Sequence, residues 1–231
     1  MLTQSHQTQI SLAASGVTPG VLEQSLARAT LRRVEAKEFL FVEGDPLSHV
    51  YRVETGAIAL FKILADGRRQ VMGFAYPGDL IGLGSSGEHA MNAQAIKPTR
   101  LRCLPISGLH RRVAQDPSLG FNLYQAVARE LASTRDLMLT TGQRTATERV
   151  VSFLLACSRR NERKGRDPTV LELPMTRTDI GDFLGLTVET VSRTFTKIRG
   201  MGLIDLPLSN EVKLLDVDAL KSLANGDDQD L

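Results

Sequence analysis

One stretch of the chain, Thr176 to Gly200, constrains the fold more than any other. It reads as two short helices joined by a tight turn, in which Gly185 supplies the left-handed backbone that such a connection needs. Thr187 follows the turn and is placed to cap a second helix, which we expect to run to about Arg199. The pattern predicts a helix-turn-helix motif at Arg177–Thr196.

The second of these helices separates its apolar and polar residues. At about 100° per residue, three residues form an apolar inner face, namely Val191, Phe195 and Ile198. Glu189, Ser192 and Arg193 share the opposite face near the N-terminal end, where a recognition helix presents the side chains that read bases. The alternative is an ordinary surface helix with a Glu189–Arg193 ion pair, worth only ~0.2–0.5 kcal/mol.

Residues 34–106 have the texture of a β domain. Alternating segments such as Val50–Val53 and Ala57–Ile63 are separated by Gly- or Pro-containing turns at Glu43–Asp45, Glu54–Gly56, Ala65–Gly67 and Tyr76–Asp79. Asp66-Gly67 between two such segments is a strong hairpin signal. Short strands at this spacing predict a β-sandwich, a jelly roll or a barrel.

Residues 116–143 form one long predicted helix. A heptad seam runs along it through Tyr124, Val127, Leu131, Thr134, Met138 and Thr141. An amphipathic helix packed only on its own sheet would also need an apolar stripe, but we expect a second stripe, through Leu123, Ala126, Glu130 and Leu137, to serve that purpose. We therefore expect the seam to join two copies of the chain.

The remaining elements complete an α+β chain. A helix is predicted at Thr145–Arg160, a basic turn at 161–168, a short strand at Val170–Leu173, and a β-hairpin wing at Leu203–Val217. The predicted regions are a flexible N-terminus at 1–18, a β-roll (jelly roll) preceded by a helix at 19–115, a dimerisation helix at 116–143, a winged helix-turn-helix at 144–218 and an acidic tail at 219–231.

Composition excludes several classes of function. The chain has 231 residues and a net charge of only +2, with no apolar run long enough for a membrane span and no secretory signal, so we expect a cytoplasmic protein. Cys103 and Cys157 are far apart and have no partners at metal-ligand spacing, and we expect no metal or other cofactor. No catalytic triad or phosphate-binding loop appears, which argues against an enzyme.

The order of β-roll, long helix and winged helix-turn-helix resembles the CRP/FNR superfamily of transcription regulators (catabolite-activator and fumarate-nitrate-reduction regulators). The resemblance covers about residues 20–220, and its most specific element is Thr178–Arg193, TDIGDFLGLTVETVSR. It implies a cyclic-nucleotide-binding-like β-roll and a homodimer that binds double-stranded DNA and contacts RNA polymerase.

The base-reading residues Glu189, Ser192 and Arg193, called the reading head below, are similar to those of the anaerobic-regulator branch. In that branch the pattern E-x-x-S-R binds a TTGA-N6-TCAA-type palindrome. By that resemblance, Arg193 donates to guanine, Glu189 accepts from the opposing cytosine, Ser192 helps to fix the outer T·A pair, and Val188 packs on a thymine methyl. Phosphate contacts are expected from Thr178, Thr187, Lys197, Arg199 and Lys213.

Departures from the family narrow the assignment. Residues 1–30 contain no cysteine for an oxygen-labile iron–sulfur cluster, and no arginine lies between Arg69 and Arg100 to bind a cyclic phosphate. The chain therefore resembles the FixK-like subgroup, which implies DNA binding without an effector and control of microaerobic, nitrogen-fixation or denitrification genes. A haem- or small-molecule-gated regulator of the same family is the alternative. Gly84–Ala90, with His89, is expected to form a surface that faces RNA polymerase.

Overall fold

The computed structural model describes residues 29–84, 87–121, 123–125, 127–128 and 145–226. Two compact units divide the chain, one within Ser11–Thr134 and the other within Arg135–Leu231. In the described ranges, no helix combines the length and the apolar character needed to cross a bilayer. The predicted N-terminal helix and most of the predicted dimerisation helix lie outside the described residues.

The first unit is an antiparallel β-roll. Its strands are β1 Thr30–Val34, β2 Phe39–Phe41, β3 His49–Ile63, β4 Arg69–Ala75, β5 Leu80–Ile81 and β6 Asn92–Pro105. They pair in the order β1-β6-β3-β4, with β2 added on β6 and β5 on β3. Helix α1, Ile106–Gln115, follows, and residues 117–128 are helical wherever they are described.

Gly67 lies in the hairpin turn that the sequence predicts between β3 and β4. Its N–H donates to the Leu64 carbonyl at 2.9 Å, and its φ of 81° is one that glycine adopts without strain. A turn predicted at Glu54–Gly56 is instead part of the 15-residue strand β3, whose register against β6 shifts there. The segment is a bulge, because a glycine with positive φ serves a bulge as well as a turn.

Gly56 explains why this bulge needs glycine. A Cβ atom at this position, where φ is 95°, would lie 2.3 Å from Thr99 Oγ1 and 2.6 Å from Thr99 Cα. The Thr99 hydroxyl accepts from the N–H of Ala57 at 3.1 Å. The bulge therefore bends β3 against β6 over a core whose residues include Val53, Ile58, Leu60 and Leu101.

The second unit is a winged helix-turn-helix. Its elements are α2 Ala146–Arg163, β7 Val170–Glu172, α3 Arg177–Leu184, α4 Val188–Gly200, β8 Ile204–Asp205, β9 Glu211–Leu214 and α5 Val217–Asn225. The strands form a small antiparallel sheet in the order β7-β9-β8, and β8 with β9 forms the predicted wing. The predicted α+β fold class is confirmed.

Helix α5 was not expected from the sequence, which indicates an acidic tail from residue 219. Asp216 caps the helix by accepting from the N–H groups of Asp218 and Ala219. Leu220 is fully buried, and Leu223 is nearly so. The interpretation as a tail is wrong for residues 219–225, because three apolar residues at helical spacing pack into the unit despite the acidic composition.

Candidate nucleic-acid interface

Helix α3 begins with a capping box. Thr176 Oγ1 accepts from the N–H of Asp179 at 3.1 Å, and the Asp179 carboxylate accepts from the N–H of Thr176 at 2.9 Å. Two backbone donors at the helix start are thereby satisfied, although α3 has only eight residues. The T-x-x-D spacing was the signal in the sequence for this start.

Three residues stabilise the turn between α3 and α4. Gly185 has the left-handed conformation that the sequence predicts, with φ of 67°. Arg149 Nη1 on α2 donates to the Leu184 carbonyl at 3.2 Å. Gly181 lies so close to the turn that a Cβ there would be 2.6 Å from the Leu186 carbonyl oxygen. Gly181 therefore sets the spacing of the two helices, and a glycine inside a short helix was its only signal.

Helix α4 has the two faces that the sequence predicts. Thr187 caps it by accepting from the N–H of Thr190 at 3.2 Å. Val191, Phe195 and Ile198 are at most 2% exposed and anchor the helix to its unit. Because this inner face is packed, the opposite face turns to solvent.

Glu189, Ser192 and Arg193 are all exposed on the outer face of α4. Among the described residues, the Glu189 carboxylate and the Arg193 guanidinium have no hydrogen bond and do not pair with each other. The Ser192 hydroxyl donates to the Val188 carbonyl at 2.8 Å. The alternative of an ordinary surface helix stabilised by a Glu189–Arg193 ion pair therefore has no support. Both charged groups are available to a ligand.

Arg177 connects the two helices of the motif. Its guanidinium carbon lies 3.5 Å from the centroid of the Phe195 ring, in cation–π geometry. Burial lowers the pKa of Arg177. The contact was not expected from the sequence, because it joins residues 18 positions apart.

Four of the five residues expected to contact phosphates are exposed and lie on or beside α3 and α4, namely Thr178, Thr187, Lys197 and Arg199. The fifth, Lys213, is exposed on β9 and pairs in register with Asp205. Lys213 also helps to lower the pKa of Asp167, after hydrogen bonds from Thr169, which are the larger cause. Lys213 therefore has acidic neighbours that would compete with a phosphate.

Two of the residues predicted to form the dimer seam lie in the described part of the chain. Tyr124 is 69% exposed and Val127 is 48% exposed in the single chain, and nearby Phe121 is 60% exposed. Leu131, Thr134, Met138 and Thr141 lie outside the described residues. The visible end of the seam is thus an apolar surface without cover in one protomer.

The β-roll holds a small cavity of about 130 Å³ lined mainly by apolar side chains, including those of Phe41, Leu60, Leu80 and Met91. His89 lines it too but is only 5% exposed, and its ring stacks on that of Phe41 with 3.5 Å between centroids. Burial lowers the pKa of His89. His89 therefore does not belong to the exposed surface in which the sequence placed it, because Phe41 holds it inside.

Cys103 is buried and Cys157 is half-buried. Burial raises the pKa of Cys157 to about 12, and burial also raises the pKa of Cys103, against the opposing charge of Arg32. Thiolates are the nucleophilic and metal-binding form, so neither side chain is activated at neutral pH. Within the described ranges, no three His, Cys, Asp or Glu residues come together as a metal site.

Two family profiles match the two units. The Crp-like helix-turn-helix domain matches residues 148–223, and the cyclic nucleotide-binding domain matches residues 31–116. The first range contains the whole of α3 and α4 together with the wing and most of α5.

Two similar proteins are named as a regulator of nitrogen fixation and as a transcriptional activator. The nitrogen fixation regulation protein FixK of Bradyrhizobium diazoefficiens is 41% identical over 188 residues, which cover 81% of this chain and 78% of that protein. The transcriptional activator Anr of Pseudomonas aeruginosa is 36% identical over 84% of this chain and 80% of that protein. The solved structure of FixK2 from Bradyrhizobium japonicum superposes with a TM-score of 0.79 at 37% identity, covering 84% of this chain and 96% of that one.

Proposed function

The chain belongs to the CRP/FNR family of DNA-binding transcription regulators, and from this premise we propose that it is a homodimeric activator that recognises a TTGA-N6-TCAA-type palindrome without an effector. The observation that carries the proposal is the outer face of α4. There Glu189, Ser192 and Arg193 are exposed together, and neither charged group has a partner among the described residues.

The three side chains supply complementary groups for one half-site. Arg193 carries donors that fit guanine O6 and N7, and Glu189 accepts from the N4 amine of the cytosine paired with it. Ser192 fixes the outer T·A pair, and Val188 packs on a thymine methyl. Lys197 and Arg199, in the last turn of α4, bind phosphates and set the register, with Thr178 and Thr187 at the helix starts.

A dimer follows from the two-fold symmetry of such a palindrome. Two recognition helices would enter successive major grooves about 34–36 Å apart. The exposed Tyr124 and Val127 support pairing through this helix, because an apolar stripe in one protomer is covered when two helices pack at heptad spacing. The long helix would then hold the two reading heads at the distance that the half-sites require.

The lining of the β-roll cavity supports DNA binding without a cyclic nucleotide. A cyclic phosphate needs a cation, yet the described lining residues include no Arg or Lys, and burial lowers the pKa of His89, which disfavours its charged form. At about 130 Å³ the cavity is of the size that holds benzene rather than a nucleotide. We therefore assign control to the amount of the protein or to a modification of it rather than to a ligand.

The regulated genes are assigned by similarity. Relatives named for nitrogen fixation regulation, together with the anaerobic-type reading head, support microaerobic, nitrogen-fixation or denitrification genes as targets. As an activator, the protein would recruit RNA polymerase. The exposed residues Gly84, Gly87, Glu88 and Ala90 are the proposed contact, without the buried His89.

Selection of bound duplexes from random DNA tests this proposal. The protein is purified in air, no ligand is added, and we expect TTGA-N6-TCAA to be enriched. Arg193→Ala serves as the matched variant, and the duplexes that it selects should no longer show a preference for guanine in the half-site. Failure to enrich this palindrome would refute the reading head. Enrichment that appears only after a small molecule is added, or a Soret band in the absorption spectrum of the protein, would favour the ligand-gated alternative.

A further inference from the structure

The exposed face of α4 continues one turn beyond Arg193 to Thr196. At about 100° per residue, Thr196 falls between Ser192 and Glu189 around the helix and about 4.5 Å beyond Arg193 along its axis. Thr196 is exposed. Gly200 follows on the same face in the next turn and has open space around it. The surface that the proposed function assigns to base reading therefore extends to Thr196 without obstruction.

The hydroxyl groups on this face share one orientation. Thr196 Oγ1 donates to the Ser192 carbonyl at 3.1 Å, and Ser192 Oγ donates to the Val188 carbonyl at 2.8 Å. A hydroxyl has a single proton, so each group now offers only its lone pairs outward. In the major groove the donors that match such an acceptor are the N6 amine of adenine and the N4 amine of cytosine.

The γ-methyl group of Thr196 narrows the choice between these two amines. Apolar groups in the major groove contact the C5-methyl of thymine, which an A·T pair presents and a C·G pair does not. We propose that Thr196 reads an A·T base pair flanking the TTGA element, its hydroxyl accepting from adenine N6 and its methyl packing on the thymine methyl. This inference rests on the proposed function of α4.

A purely structural role accounts poorly for a threonine at this position. Thr194 makes the same kind of backbone bond, to the Thr190 carbonyl at 2.8 Å, but Thr194 is buried in the unit. Thr196 packs on no core, and Ala, Lys or Glu would stabilise an exposed helix position better than a β-branched residue. Thr196 is thus a weak helix former at an exposed position, and its hydroxyl group presents an oriented acceptor to solvent. The second property, not helix stability, accounts for a threonine here.

Two substitutions separate the hydroxyl from the methyl group. Thr196→Val keeps the shape and the methyl but removes the acceptor, whereas Thr196→Ser keeps the acceptor and removes the methyl. Full-length proteins are compared on duplexes with a fixed TTGA-N6-TCAA core and random flanks. Wild type should prefer A·T over G·C about two- to tenfold at one flanking position of each half-site. Thr196→Val should keep only the part of the A·T preference that the methyl contact supplies, and Thr196→Ser should bind A·T and C·G alike.

Two controls keep this inference separate from the proposed function. Both variants should retain the guanine preference within TTGA and the unfolding midpoint of wild type, since Thr196 packs on no core. If wild type fails to enrich TTGA from fully random DNA, the proposed function falls and this inference with it. If wild type enriches TTGA but all three proteins share one flank preference, or wild type has none, the role of Thr196 is overturned and the proposed function stands.

Discussion

The guanidinium of Arg177, at the start of α3, lies over the ring of Phe195 in the middle of α4, with 3.5 Å between its Cζ atom and the ring centroid. Phe195 is 2% exposed and lies on the inner face of the recognition helix, so the contact ties the start of α3 to the buried face of α4. The orientation of the reading face therefore depends on a residue that is not on that face.

Removal of this contact should loosen the motif. We expect Arg177→Ala to lower the free energy of unfolding by about 1 kcal/mol, because a half-buried cation–π contact is lost. Urea denaturation without DNA measures this, so that no phosphate contact interferes. Arg199→Ala is the control, since Arg199 is exposed on α4. Equal stability of the Arg177→Ala variant and wild type would contradict the assignment.

Gly181 and Gly200 offer a matched pair of helical glycines. Gly181→Ala should destabilise the protein by about 1–3 kcal/mol, because its new Cβ would lie 2.6 Å from the Leu186 carbonyl oxygen. Gly200→Ala has open space and should be neutral or stabilise the protein by up to about 1 kcal/mol. Thermal and urea unfolding compare the two variants. The same change in both would show that the close approach is not needed.

Arg193 should carry the guanine preference. Arg193→Ala should cost about 1–3 kcal/mol per half-site on TTGA and much less on a half-site whose guanine is replaced. Lys197→Ala is the comparison, because a lost phosphate contact weakens binding to every sequence alike and lowers the salt slope by about 1. Titrations on both duplexes at several salt concentrations give these values. Unchanged discrimination in the Arg193 variant would remove its role as a reader.

The seam should respond to a single buried charge. Val127→Glu and Leu131→Glu place a carboxylate where two copies are proposed to meet, so we expect monomers with poor affinity for the palindrome. Val127 is exposed in the single chain, and its substitution should leave the protomer folded. Sedimentation velocity measures the oligomeric state, with Arg111→Glu on α1 as a surface control. A dimer that persists in both seam variants would place the interface elsewhere.

The cysteines should resist alkylation. With a pKa of about 12, only about one Cys157 thiol in ten thousand is ionised at pH 8, and Cys103 is shifted in the same direction. Iodoacetamide should label the native protein slowly and the urea-unfolded protein fast, and native labelling should rise as the pH approaches 12. Mass spectrometry follows both sites. Rapid labelling of the native protein near neutral pH would identify an activated thiol.

Local elements could be predicted because their signals are local. Gly185 and Thr187 specify the turn and the cap of the helix-turn-helix through backbone rules that act within four residues. Asp66-Gly67 specifies its hairpin in the same way. The bulge at Gly56 was misassigned because a positive φ is compatible with both a turn and a bulge, and only pairing with β6 distinguishes them.

The amino-acid sequence alone determined the α+β architecture, the helix-turn-helix and the residues on the outer face of α4, because helical and strand periodicities place side chains on faces without long-range information. Tertiary structure decided which side-chain groups on those faces are free to bind a ligand and which are buried or paired. It left Glu189 and Arg193 unpaired within the described chain, buried His89 against Phe41, packed α5 into the second unit and stacked Arg177 on Phe195. These outcomes depend on contacts between distant residues, whose burial and geometry arise only when the elements pack together.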